Sequence, residues 1–221
     1  MNFYNQGEDT VHNLIIGIIG QIGSGKSGSA AYLLEEHRHL KIKTYSFSTV
    51  LRKILQDIEV EESRPTLINL GKSLRRHFGP DLLGNYIAEQ IASENADIFI
   101  VEGFRYEEDL EEITKMDNFH LLYIATRPEI RYERLIARDQ NPGDRNKSYE
   151  DFLADEESET EKNIKAIAQK ANIVIENNGT ITEFYLRLEA EILKLIPPEQ
   201  SKEESMRELC KILRECDDVY K

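Results

Sequence analysis

Gly20-Gln21-Ile22-Gly23-Ser24-Gly25-Lys26-Ser27 is the segment of this chain whose residue types and spacing define a chemistry most narrowly. It fits G-x-x-x-x-G-K-[ST] at every fixed position. Glycines let the backbone turn so that several N–H groups face one phosphate. The start of the following helix adds the positive end of its dipole. Lys26 would reach the β- and γ-phosphates of a nucleoside triphosphate, and the Ser27 hydroxyl would hold Mg²⁺. Gln21, Ile22, Gly23, Ser24, Gly25, Lys26, Ser27 and Gly28 are therefore the expected ATP-binding residues. A glycine-rich turn without chemical consequence is the bland alternative. It requires pattern and flanking context to coincide by chance, because an apolar strand precedes the loop and a helical pattern follows it. The loop specifies the phosphate donor and leaves the acceptor open.

Three further groups bear on the acceptor. Asp97–Arg105 ends an apolar strand on Glu102, Gly103 and Arg105. Strand C-termini face the ligand crevice in open α/β sheets. Glu102 would order the water shell of Mg²⁺ or accept a proton from the attacking oxygen, and Arg105 would clamp an acceptor phosphate. An ordinary ion pair at the strand end is the alternative. Arg52, Arg64, Arg75 and Arg76 form a second group in an otherwise acidic stretch. Arginine binds phosphate bidentately, so a monophosphate is a natural guest, although any one of them is as readily a solvated surface charge. The third group is Arg127, Arg131, Arg134, Arg138 and Arg145. The first four follow three- and four-residue spacing and line one helix face, where like charges cost a few tenths of a kcal/mol per pair. Glu129 and Glu133 relieve part of that repulsion. A lid over a triphosphate gives Arg134 and Arg138 a reason to be there, since phosphoryl transfer spreads negative charge over three oxygens.

The elements that must position these groups alternate between strand and helix. Strands are expected at Asn13–Ile19, Lys41–Ser46, Asp97–Val101, His120–Ala125 and Ala171–Ile175. Helices are expected at Lys26–His37, Thr49–Ile58, Pro65–Phe78, Asp81–Glu94, Glu107–Lys115, Pro128–Arg138, Tyr149–Gln169 and Ile181–Ile196. Strands apolar on both faces imply a parallel sheet covered by helices on each side. The fold class is thus α/β, a three-layer arrangement, with a charged helical tail after Pro197-Pro198. The tail's apolar positions Met206, Leu209, Cys210, Leu213 and Cys216 form a narrow stripe, which suits a homo-oligomer or protein contact through residues 199–221.

Composition sets outer bounds. A formal charge of −13 and a pI of about 4.9 repel nucleic-acid phosphates and anionic lipid, so no nucleic-acid or membrane partner is expected. Any phosphate site must gather its cations locally. The two cysteines make neither a disulfide framework nor a zinc site. The first residues lack the basic and apolar segments of a signal peptide, and the apolar runs are too short to span a bilayer, so a soluble, cytoplasmic protein is expected.

Taken together, these segments resemble the P-loop kinase superfamily, on its nucleoside monophosphate kinase branch, from about Leu14 to Ile196. Gly20–Ser27 and Glu133–Asp139 look like the P-loop and lid-helix segments of dephospho-CoA kinases. Ile100–Arg105, Leu70–Arg75 with Gly79-Pro80-Asp81, and Ile175–Thr180 look more like phage-type deoxynucleoside monophosphate kinases and the dephospho-CoA-kinase-related proteins of archaea. A similar module precedes deoxycytidylate-deaminase domains in some fused proteins. The resemblance implies a P-loop NTPase fold with a five-stranded parallel sheet, an acceptor-binding region at about 48–95 and a lid at about 138–149 within a domain spanning 13–196, preceded by a lead-in at 1–12. It implies ATP as co-substrate with Mg²⁺, and a small nucleotide as acceptor. By position it implies that Arg52, Arg75 and Arg105 face the acceptor phosphate. Arg134, Arg138 and Arg145 would be lid cations, and the turn Asn178-Gly179-Thr180 would lie near the adenine. Two features depart from the pattern: Glu102 stands where related kinases often have aspartate, and the tail from Pro197 matches nothing in the core family.

Transfer of the γ-phosphoryl group to a (deoxy)nucleoside monophosphate is accordingly the leading expectation, with Lys26, Arg134, Arg138 and Glu102 as the catalytic set. Dephospho-CoA kinase is the first alternative, and a nucleotide-binding regulatory module with little turnover is the second.

Overall fold

In a computed structural model, residues 13–138 and 144–196 are described. The lead-in, residues 139–143 of the expected lid and the tail with its apolar stripe lie outside them. Five parallel strands form one sheet in the order β2-β3-β1-β4-β5. The strands are β1 (Leu14–Ile19), β2 (Ile42–Ser46), β3 (Ile98–Glu102), β4 (Phe119–Ala125) and β5 (Ile173–Glu176). Between them run the helices α1 (Lys26–Glu36), α2 (Phe47–Asp57), α3 (Arg64–Phe78), α4 (Leu82–Ser93), α5 (Pro128–Arg138), α6 (Tyr149–Glu156), α7 (Glu159–Ala168) and α8 (Ile181–Leu193).

The period of a strand explains the layering. Leu14, Ile16 and Ile18 of β1 face one layer with α1 and α8, where Leu33, Phe184, Leu188 and Ile192 meet them. Ile15 and Ile19 face the other, where α2, α4 and α7 contribute Leu51, Ile87, Ile91, Ile164 and Ile167. Every residue of β1 is buried. Strand β2 reads IKTYS and is only half-buried, as its place at the sheet edge allows.

The order of strands settles where a ligand binds. β1 lies between β3 and β4, so the chain leaves it toward opposite sides and a crevice opens at its C-terminal end. Gly20–Ser27, Glu102 at the end of β3, and Thr126 just after β4 all stand at that end.

Two helical expectations need correction. The charged run 149–169 is two helices, α6 and α7, not one. The N–H groups of Glu157 and Ser158 reach back three residues, to the carbonyls of Ala154 and Asp155, and Ser158 takes extended torsion angles before α7 starts. The segment 107–115 is two 3₁₀ turns, Glu107–Leu110 and Ile113–Lys115. There the buried Asp109 carboxylate accepts the N–H groups of Arg105 and Tyr106 at 2.9 and 3.0 Å and folds the chain tightly on itself. Among the described residues no helix is long and apolar enough to cross a membrane.

Candidate active site

The loop after β1 owes its shape to two glycines. Gly23 and Gly25 have φ of 77° and 108°, where an L side chain is strained. A Cβ on Gly23 would stand 2.5 Å from the Arg131 carbonyl oxygen, and one on Gly25 2.6 Å from Asn177 Nδ2. The first-turn N–H groups of α1 have no intrahelical acceptor, so the bend and the helix start present donors to the same place. Lys26 Nζ donates to the carbonyls of Gly20 at 2.5 Å and Gln21 at 3.0 Å, bridging the open side of the loop.

Neighbouring elements clamp this loop from outside. Asn177, buried at the end of β5, donates through Nδ2 to the Ser24 carbonyl at 2.8 Å, and Thr126 donates to the same carbonyl at 3.2 Å. Arg131 on α5 is 1% exposed and forms a bidentate pair with Glu156 on α6, both bonds 2.7 Å. It also donates to the Thr126 and Ile22 carbonyls. Gln21 completes the network by donating to Glu156 at 2.7 Å. The arginine stripe on α5 is therefore divided in role. Arg131 is a structural brace under the loop. Arg134 donates to Asn177 Oδ1 at 3.1 Å while its Nη1 is buried without a hydrogen-bond partner. Arg138 is exposed at the end of the helix and acts as a charge on Lys26. Arg145 is exposed beyond the residues that are not described. Sequence spacing put Arg127, Arg131, Arg134 and Arg138 on one face; only burial separates them.

On the other flank of β1, Glu102 ends β3. Its carboxyl is pushed above the usual range by burial and pulled back by the Lys26 cation beside it. Its Oε1 is buried and unpartnered. Ser27 is exposed on the first turn of α1. A hydroxyl and an unsatisfied carboxylate oxygen beside a phosphate cradle fit a hydrated divalent cation. Arg105 stands near Lys26, which feels its positive charge, and pairs with Glu161 of α7 at 3.6 Å.

The other expected acceptor cations are engaged by carboxylates. Arg75 donates to Asp109 at 2.6 Å and packs over the Tyr106 ring, so it braces the turn that carries Arg105. Arg52 pairs with Glu62 at 2.8 Å on the exposed face of α2. In the turn after β5, Asn178 accepts the N–H of Arg127 at 2.9 Å. Thr180 caps α8 in a reciprocal box with Glu183, and Gly179 is exposed between them. Glu156 and Glu161 are site neighbours that sequence reasoning missed. Their signal was present: each stands on the inward stripe of its helix, Glu156 four residues after Phe152 and Glu161 three before Ile164. Treating 149–169 as one helix scrambled those faces.

Burial, Arg105 and Arg138 together pull Lys26 down to about 8, while Glu161 and Glu102 hold it up. The amine must be charged to meet a triphosphate, so affinity for ATP is expected to be level below about pH 7. It should then fall as pH rises through 8, approaching about tenfold per pH unit. Titration calorimetry at pH 8.5 in buffers of different ionisation enthalpy should show proton uptake on binding. Affinity unchanged between pH 7 and 9.5 would contradict this account of Lys26.

Comparisons with known proteins bear on the family and the fold. The AAA domain family matches residues 16–163. A UPF0200 protein of Sulfurisphaera tokodaii is 32% identical over 182 residues, covering 82% of this chain and 97% of that protein. Another from Hyperthermus butylicus is 27% identical over 84% of this chain and 94% of its own. Among solved structures, TT1252 from Thermus thermophilus superposes with a TM-score of 0.56 at 22% identity, covering 84% of this chain and 100% of its own. A shikimate kinase from Bacteroides thetaiotaomicron superposes with a TM-score of 0.55 at 14% identity, covering 82% of this chain and 98% of that one. At such identities the structural likeness speaks for the fold alone, a P-loop NTPase-like α/β fold.

Proposed function

The chain belongs to the AAA domain family and groups with the UPF0200 proteins, and from that starting point we propose that it is an ATP-dependent small-molecule kinase whose acceptor is a (deoxy)nucleoside monophosphate. The observation that carries this reading is the closeness of Lys26, on the donor loop, to Arg105, at the end of the neighbouring strand. Two phosphates brought together, one on each cation, are the arrangement phosphoryl transfer needs. The fold of a shikimate kinase, a small-molecule kinase, is consistent with it.

In this reading an oxygen of the acceptor's phosphate attacks the γ-phosphorus in line. The bond to the bridging oxygen breaks, and its electrons stay on the departing diphosphate. Lys26 neutralises charge on the transferred group, with Arg134 and Arg138 approaching from α5. Ser27 and Glu102 would hold Mg²⁺, which would supply charge neutralisation to the phosphates. Arg105 holds the acceptor. The region 48–95 shapes its pocket.

A dephospho-CoA kinase is the second reading, and one observation favours it: Glu102, with an unpartnered Oε1 and raised proton affinity, suits a base for a hydroxyl acceptor. One assay decides. The protein is incubated with ATP and Mg²⁺ against a panel of ribo- and deoxynucleoside monophosphates and dephospho-CoA. A phosphorylated monophosphate supports the proposal. Turnover of dephospho-CoA alone replaces it with the second reading. ATP binding without transfer to any acceptor leaves a regulatory module.

A further inference from the structure

Helix α7 lays Ile164 and Ile167 against the sheet, and Glu161 stands three residues before Ile164 on that same stripe. It is 3% exposed. An apolar side chain would satisfy packing at this position, and replacing a buried ion pair with apolar residues is often neutral or stabilising. The charge therefore calls for a reason beyond stability. Glu161 Oε1 lies 3.6 Å from Arg105 Nη1, and its Oε2 is buried with no hydrogen-bond partner among the described residues.

The pair is unequal. The Arg105 side chain is 40% exposed while the Glu161 carboxylate is buried, so the carboxylate is the fixed member. The backbone of Arg105 is held separately. Its N–H donates to Asp109, itself buried and paired with Arg75. Thus Asp109 and Arg75 fix where Arg105 starts, and Glu161 fixes where its charge ends. Lys26 feels both charges, so the pair stands beside the phosphate loop.

We propose that Glu161 is the positioning residue for Arg105, holding its guanidinium beside Lys26 so that the phosphate of the acceptor meets both cations; this rests on the kinase reading above. A merely structural ion pair would change stability without distinguishing acceptor from donor.

Steady-state kinetics of the full chain test it. At about pH 6.5, where Lys26 stays charged without the support of Glu161, Glu161→Gln should raise the acceptor KM about tenfold or more while the ATP KM stays within about twofold. Glu161→Asp, which keeps the charge, should recover part of the loss. In an Arg105→Met background, Glu161→Gln should add nothing, since the residue acts through Arg105. Equal changes in both KM values, or additive effects in the double variant, overturn the inference. If the native chain transfers phosphate to no acceptor, the kinase reading falls and inorganic phosphate becomes the probe. Arg105→Met and Glu161→Gln must then each weaken the thermal stabilisation that phosphate confers. Undiminished stabilisation in Glu161→Gln, or none in the native chain, overturns the inference.

Discussion

Lys26→Ala should abolish phosphoryl transfer, with kcat/KM falling by at least about 10²–10³-fold. The side chain does two things that nothing nearby can replace. Its amine bridges the carbonyls of Gly20 and Gln21 and so ties the two ends of the turn together. It also supplies the cation at the centre of a cluster comprising Glu102, Glu161, Arg105 and Arg138. Without it, Glu102 loses the charge that restrains its proton affinity, and its burial then favours the neutral acid. Lys26→Arg should not rescue, because a planar fork cannot occupy a gap shaped for one point charge. The folded state should survive, since the variant removes a charge whose burial is itself unfavourable. The decisive pair of measurements is a melting curve close to native and a lost transfer rate. Transfer retained within about tenfold would remove Lys26 from the reaction.

The second large effect is on stability. Glu156→Ala should destabilise the fold by about 3–5 kcal/mol, because it leaves the Arg131 guanidinium buried without its bidentate partner. For a domain of this size that corresponds to a fall of about 6–20 °C in melting temperature. Gln21 loses its acceptor in the same step. Replacing both partners, Arg131→Met with Glu156→Leu, should recover most of the stability. It should not recover ATP affinity, since Arg131 also donates to the Ile22 carbonyl and the loop would lose two of its outer anchors. Urea unfolding read beside ATP titration separates the two consequences. A single Glu156→Ala variant within about 1 kcal/mol of native would show that the pair carries no structural weight.

These two predictions differ in how far they were legible beforehand. Lys26 could be identified from the string of residues because the phosphate loop is local: eight consecutive positions carry the turn, the helix start and the cation. The strand–helix alternation was legible for a similar reason. Buried parallel strands such as LIIGII and IFIVE are continuous apolar runs, and the period of their flanking helices is short-range information. Glu102 and Arg105 were placed by the rule that strand ends face the crevice, and both do stand beside Lys26. Arg131 was legible as a charge and illegible as a brace. Nothing in its three- and four-residue spacing from Arg127 and Arg134 says which of the three is buried. That depends on Glu156, 25 positions away, arriving beneath the same helix.

Sequence alone thus set the donor loop, the kind of layers and the places where strands end, since each rests on contacts between near neighbours in the chain. Partnership among charges was settled by folding. Arg75 went to Asp109 and Arg105 to Glu161, each choice made by which buried carboxylate the packing of the layers brought within reach. The physical reason is desolvation. An exposed charge gains little from any one partner, whereas a buried one must be paired, and burial is a property of the assembled layers.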